Sequence, residues 1–210
     1  MPTFETWLLF VPAALLLGIA PGPGVLYVLS RSLAQGRGAG LASAAGLGGG
    51  GLLHVAAAAL GLSAIFAASP TLYQFVKLAG AAYLIYLGIT EWRQAGTTQA
   101  APPAARHASL GRIALQGVLV EALNPKTALF FLALLPQFVA PAQGAVASQM
   151  LLLGGFVTLV TLSVDLAVAL GSGGIAALIA RRPAVQRLQA RISGSILCAL
   201  GLRVALDPAR

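Results

Sequence analysis

Val120–Phe138, VEALNPKTALFFLALLPQF, reads as a membrane-spanning helix interrupted in its middle. Apolar residues run from Ile113 to Leu135, yet the centre holds Glu121, Asn124, Pro125 and Lys126. Pro125 has no amide proton, and its ring clashes with the carbonyl four residues back, that of Glu121. Asn124, directly before a proline, is pushed away from helical geometry. Backbone groups freed inside a bilayer must find partners, so such a break survives only where it is buried in protein or lines a wet cavity. A similar break, Pro21-Gly22-Pro23-Gly24, sits inside the apolar run from Trp7 to Leu29.

Working outward, the 210-residue chain is 58% hydrophobic and only 9% charged, with mean hydropathy +0.88. Soluble domains carry roughly 25% charged residues, so these values define an integral membrane protein. The net charge of +8 does not imply a nucleic-acid partner, because the basic residues lie in short loops between apolar runs. A single cysteine, Cys198, excludes an internal disulfide and a thiolate metal cluster. His54 and His107 give no metal-ligand spacing, and nothing implies an organic cofactor. The N-terminus lacks a basic region before its apolar stretch and carries Glu5, so the first segment is expected to be retained.

Six apolar segments can be marked, approximately 6–30, 39–66, 72–90, 112–136, 145–172 and 188–206. Each is measured against the ~20 residues needed to cross the hydrocarbon. The connections after the first, third and fifth hold Arg31, Arg37, Arg93, Arg106, Arg112, Arg181, Arg182, Arg187 and Arg191; those after the second and fourth hold no Lys or Arg. Positive-inside reasoning places the arginine-rich connections in the cytoplasm and both termini outside, with membrane lipid around the segments. Lys77 can snorkel to the outer interface; Arg203 and Arg210 fall on the outer side and run against the rule.

The longest polar connection divides the chain into a first unit at 1–94, a linker at 95–111 and a second unit at 112–210. Three segments per half force the halves to cross in opposite senses. The expected fold is therefore an all-α integral membrane protein of six transmembrane helices, built as two inverted three-helix repeats with helices one and four broken. Transporters of this design bind their substrate at the paired breaks. Glycines 46, 48, 49, 50 and 51 in the second segment, and 171, 173 and 174 closing the fifth, are read first as close helix packing and second as a hinge or cavity wall. Small residues in this abundance permit a homodimer without requiring one. No Gly-Lys-Ser/Thr follows the glycines, which excludes a phosphate-cradling loop.

A broken helix offers two kinds of ligand. Amides at the start of the second half-helices, near Gly24, Val25, Lys126 and Thr127, favour an anion. Carbonyls left over at the break, those of Leu17, Ile19 and Glu121, accept from an ammonium or a cation. A zwitterionic amino acid carries both charges, so Pro21, Gly22, Pro23, Gly24, Asn124, Pro125 and Lys126 are the candidate substrate-binding residues. A plain proline kink with no ligand is the simpler alternative. Charged groups at mid-membrane cost about 2.5–3.5 kcal/mol each on insertion scales and need a reason to be there. Glu121 and Lys126 can pair with each other, or Lys126 can meet a substrate carboxylate while Glu121 exchanges protons. Asp165, central in the fifth segment, is a candidate for proton coupling or for an interhelix hydrogen bond. His54, alone among alanines, is either a packed, hydrogen-bonded residue or a proton relay.

These residues together resemble the lysine-exporter (LysE/RhtB) family of amino-acid translocators. The matching pieces are Pro21-Gly22-Pro23 with Gly24-Val25-Leu26; Gln35-Gly36-Arg37 with Gly40 and Gly46; His54; Lys77 with Gly80-Ala81-Ala82-Tyr83-Leu84 and Gly88; Asn124-Pro125-Lys126; and Pro136-Gln137-Phe138. They cover residues 8 to 140; beyond, the likeness rests on hydropathy and Asp165. The resemblance implies a bacterial cytoplasmic-membrane exporter of amino acids or derivatives driven by the proton gradient. The family commonly has Asn after the Pro-Gly-Pro, where Gly24 stands here. Three other readings remain open. A divalent-metal exporter would want several intramembrane carboxylates, His or Cys at metal spacing. A membrane-embedded enzyme would use Glu121 or Asp165 as acid or base beside a nucleophile or metal motif. A channel would need no coupling group at all.

Overall fold

The computed structural model describes residues 2–19, 22–62, 69–94, 107–171 and 183–206, and every regular element among them is helical. Pro21, residues 95–106 of the expected linker, Gly173, Gly174, Arg181, Arg182 and Arg210 lie outside the described residues.

α1 (Phe4–Ile19) and α2 (Pro23–Gln35) form a pair bent by 44°. Pro23 occupies the first helical position of α2, where its missing N–H is no loss, and Gly22 before it is extended. Gly36, at φ 82°, turns the chain directly into α3 (Arg37–Ala57), which runs on through one π turn, Ala58–Leu62. α4 (Pro70–Gln94) follows. α5 (Leu110–Ala122) starts at Ser109, whose Oγ accepts from the Arg112 amide at 3.4 Å. α6 (Pro125–Leu129) continues through a π turn, Phe130–Leu134, and a 3₁₀ turn, Leu135–Phe138; with α5 it makes the second bent pair, at 45°. α7 (Val146–Gly171) and α8 (Pro183–Leu206) complete the order.

Arg37–Gly61 and α7 are each long and apolar enough to cross a bilayer alone, and each bent pair taken as one span raises the number to four. α4 and α8 are comparable in length, 25 and 24 residues. They are more polar: α4 carries Lys77, Glu91 and Arg93, and α8 carries Arg187, Arg191 and Arg203, with a shorter apolar stretch at Ala190–Ala199.

Glycine decides how the helices meet. A Cβ on Gly50 would stand 2.6 Å from Glu121 Cβ and 2.7 Å from the Val118 carbonyl, and one on Gly46 would collide with the Ala114 backbone. α3 and α5 therefore run side by side in the same direction at near-backbone contact. On another side of α3, Gly40 faces Ala169, Gly48 faces Leu162 and Gly51 faces Thr158, so α3 and α7 run antiparallel. Gly88 against Gly194 and Gly201 against Ala81 set α4 antiparallel to α8. Close packing is what most of the glycine run in α3 achieves. α2 crosses α5 in the opposite sense too: Gly24 lies near Glu121, and Tyr27 and Arg31 reach Ile113 and Gln116.

Two apolar clusters lie on opposite sides of the breaks. The larger joins Phe10, Ala13 and Ala14 of α1 to Phe130, Phe131, Leu134 and Leu135 beyond α6 and to Met150, Leu153 and Val157 of α7. Phe10 and Phe138 meet edge to face at 4.9 Å, and Trp7 meets Phe156 at 5.1 Å. The smaller holds Val28, Ala44, Leu47 and Ala169, with Val120, Leu162, Leu166 and Val168 packed against it. Gln149, wholly buried, bonds both main-chain groups of Ala140 and so ties the turn after the second bent pair to α7.

Candidate functional site

The second break is stitched together by its own polar residues. Asn124 caps α6: its Oδ1 accepts from the Lys126 amide at 3.1 Å, and Pro125 fills the first helical position. The other end of the same side chain, Nδ2, donates to Glu121 Oε2 at 3.1 Å. Glu121 Oε1 accepts from the Thr127 hydroxyl at 2.6 Å. Glu121, Asn124 and Thr127 are all buried. The carboxylate thus bridges the two half-helices, and each of its oxygens keeps further lone-pair capacity.

The backbone at the break is also largely satisfied, which revises part of the sequence expectation. The Glu121 carbonyl, deprived of its helical partner by Pro125, accepts from the Asn124 amide at 3.0 Å and from His54 Nε2 at 2.9 Å. A carbonyl only accepts, so His54 carries its proton on Nε2 here. The imidazole stacks on Phe131 at 5.7 Å. The Glu121 carbonyl and the Lys126 amide are therefore not vacant ligands, because His54 and Asn124 already serve them.

The first break is different. Gly22 offers no side-chain oxygen to cap α2, so the amides of its first turn, including those of Gly24 and Val25, have no side-chain partner of that kind. Gly24 is buried against the second break: a Cβ placed on it would lie 3.4 Å from Glu121 Oε2. The two breaks, one in each half of the chain, meet at this contact.

Further charges surround it. Asp165 of α7 is buried and lies within electrostatic range of Glu121. Lys126 lies within electrostatic range of both Glu121 and Glu91, the latter on α4. The fold thus brings Gly24, His54, Glu121, Asn124, Pro125, Lys126 and Asp165 into one neighbourhood; Gly22 and Pro23 lead into it, and Pro21 lies outside the described residues. Sequence reasoning missed Thr127 as a side chain, Glu91, and a second polar cluster on the α2–α5 contact. There the Tyr27 hydroxyl donates to the Ile113 carbonyl at 2.7 Å, Arg31 donates to Gln116 Oε1 at 2.7 Å, and the Arg31 guanidinium lies over the Tyr27 ring. Tyr27 and Arg31 are one helical turn apart, a spacing that marks a shared face.

Long apolar helices, two of them bent at proline and joined at a buried carboxylate, define a helical membrane protein with a polar centre. The chain belongs to the LysE type translocator family, whose model matches residues 15–208. It is 34% identical over 206 residues to a homoserine/homoserine lactone efflux protein of Salmonella typhimurium, covering 97% of each chain. It is 30% identical over 204 residues to an uncharacterized membrane protein of Vibrio cholerae, covering 96% of this chain and 97% of the other. A leucine efflux protein of Salmonella choleraesuis is 28% identical over 137 residues, which cover 62% of this chain and 61% of that protein. No solved structure matches the chain.

Proposed function

We propose that this protein is a proton-coupled secondary transporter that exports an amino acid or a close derivative across the bacterial cytoplasmic membrane. The observation that carries the reading is the contact between the two breaks, Gly24 against Glu121 Oε2. It sets the first turn of α2, which Gly22 does not cap through a side chain, beside a buried carboxylate, a partial positive charge facing a negative group. The substrate carboxylate meets the first turn of α2 and Lys126, and its ammonium meets Glu121. The names of the two efflux relatives support an amino-acid-like solute and outward movement.

Six crossings in two inverted three-helix repeats, divided at the linker 95–111, fit the packing. Each segment lies antiparallel against its counterpart: α2 on α5, α3 on α7, α4 on α8. The bends, 44° and 45°, are nearly equal. Both termini face outside in this arrangement. Asp165 and Glu121, two carboxyl groups in one buried neighbourhood, take up and release the coupling proton as a pair.

Alternating access follows from what closes the site on each side. Toward the arginine-rich loops, Tyr27, Arg31 and Gln116 latch α2 to α5 through hydrogen bonds. On the other side the Phe10, Phe130 and Phe138 cluster forms an apolar plug. Rocking one half against the other opens these in turn.

The test is efflux from proteoliposomes preloaded with labelled homoserine and leucine, each beside the amine and the carboxylic acid that retain only one of its charges. Loss of the zwitterions alone supports the reading; equal loss of single-charge analogues, or of nothing, refutes it.

A further inference from the structure

The arginine-rich end of the α4–α8 pair carries a charged group that the export site does not use. Trp92, near the end of α4, and Arg191, in the apolar stretch of α8, are both exposed. The Arg191 guanidinium lies over the Trp92 ring, 5.5 Å from its centre. The ring is held from α8. Its Nε1 donates to Ser195 Oγ at 2.9 Å, one turn beyond Arg191. Beside it the helices touch at near-backbone distance: a Cβ on Gly194 would stand 2.6 Å from the Gly88 carbonyl oxygen and 2.7 Å from Trp92 Cδ1. Bond and glycine contact fix the ring, and the ring holds the guanidinium by cation–π attraction.

Arg93 and Arg187, also exposed, stand at the same end, one next to Trp92 and the other one turn before Arg191. Among the described residues no carboxylate pairs with any of the three arginines; Glu91 lies within electrostatic range of Lys126. A guanidinium laid on an aromatic face keeps its N–H donors at its edge, in the fork that matches two oxygens of a phosphate. Tryptophan at a helix end sits at the level of lipid headgroups, and an arginine-rich end faces the anionic cytoplasmic leaflet. Exposed apolar residues continue on both helices, Tyr86 and Ile89 on α4, Ile192 and Ala199 on α8. We infer that Arg191, stacked on Trp92, is a specific site for the phosphate of an anionic glycerophospholipid, whose acyl chains lie along these exposed apolar residues. The inference does not depend on which solute the protein carries.

The chain has two tryptophans, so Trp7→Phe leaves Trp92 as a reporter inside the site itself. The full chain is reconstituted in phosphatidylcholine vesicles. Phosphatidylglycerol or phosphatidylcholine brominated near the top of its acyl chains is then titrated in, and quenching of Trp92 gives the affinity of one lipid relative to the other. Thermal unfolding in detergent, with and without added phosphatidylglycerol, is a second readout that needs no tryptophan substitution. Soluble glycerol phosphate is tested in the same assay as a free-phosphate control.

Phosphatidylglycerol is expected to be preferred about fivefold in Trp7→Phe, the worth of one arginine at an anionic surface. Adding Arg191→Gln should abolish the preference. Adding Arg112→Gln instead, at an exposed arginine on the same side of the protein, should leave it unchanged. Phosphatidylglycerol should likewise raise the melting temperature of the wild type and of Arg112→Gln, but not of Arg191→Gln. Equal quenching by the two lipids, or an equal loss of preference in Arg112→Gln and Arg191→Gln, overturns the inference, the second outcome reducing it to diffuse surface charge. Stabilisation by glycerol phosphate equal to that by the lipid overturns it in favour of a free phosphate. None of these outcomes bears on efflux, so the exporter reading stands or falls separately.

Discussion

His54 Nε2 donates to the main-chain carbonyl of Glu121 across 2.9 Å, to the one carbonyl that Pro125 leaves without its helical partner. A side chain from α3 thereby supplies the donor that proline removed from the second bent pair. His54→Phe keeps a ring against Phe131 and deletes the donor. We expect it to lower stability by about 0.5–1.5 kcal/mol, the net worth of one hydrogen bond, because the carbonyl keeps its bond from the Asn124 amide. His54→Gln, which can still donate, should recover part of that loss in thermal unfolding. Retained pH dependence of transport in His54→Gln would mark this histidine as a support of the break; its abolition would mark it as a proton relay.

Thr127 and Asn124 both donate to the Glu121 carboxylate, and their variants should separate fold from function. Thr127→Val removes one donor at nearly constant shape and should cost about 1–3 kcal/mol. Asn124→Ala removes a donor and the cap of α6 together, adding about 0.5–2 kcal/mol for the cap. Both should weaken substrate binding more than they lower folded yield. Equal losses in binding and yield would favour a purely structural break.

Glycine contacts give a contrast within the helices. Gly50→Ala would press a methyl to 2.6 Å from Glu121 Cβ and should both destabilise the protein and displace the carboxylate. Gly155→Ala meets nothing within 4 Å and should be neutral or stabilising by up to about 1 kcal/mol. Melting temperatures of the two single variants in one detergent check the pair.

The latch on the arginine-rich side makes its own prediction. Tyr27→Phe deletes the 2.7 Å bond to Ile113, and Gln116→Leu deletes the acceptor for Arg31. Either should raise the labelling rate of a cysteine introduced at Val28 in a Cys198→Ser background, because the path from that side opens more often. An unchanged rate in both would remove the latch from the mechanism.

Orientation can be read with two exposed sites. In whole cells, Gly111→Cys should be protected from an impermeant thiol reagent and Ala142→Cys should react, both in the Cys198→Ser background. The reverse pattern would invert the proposed topology.

The bends themselves were legible in the sequence, because proline acts on its own backbone: Asn124-Pro125 and Gly22-Pro23 each put a capping residue before a proline at the first helical position, whereas Pro12, without such a pair, stays inside α1. The long apolar helices were legible for the same local reason. Thr127 as a partner of Glu121 was not, since six residues do not share a face of a straight helix, and only the break brings them together. The role of His54 was half legible: its isolation marked it, but the carbonyl it serves is 67 residues away. Gly46 and Gly50 announced close packing, yet only the pairing of helices shows that α5 approaches them. Nothing local marked Glu91, because its proximity to Lys126 depends on how α4 lies against the second bent pair.

The central claim is that a buried carboxylate at the meeting of two broken helices moves an amino acid against a proton. The most direct measurement is efflux of labelled homoserine from proteoliposomes, with and without an imposed proton gradient, for the wild type, Glu121→Gln and Asp165→Asn, each verified as folded and inserted. The account predicts gradient-stimulated efflux in the wild type, little efflux at all in Glu121→Gln, and efflux in Asp165→Asn that no longer responds to the gradient. Full, gradient-stimulated efflux in both variants would contradict it.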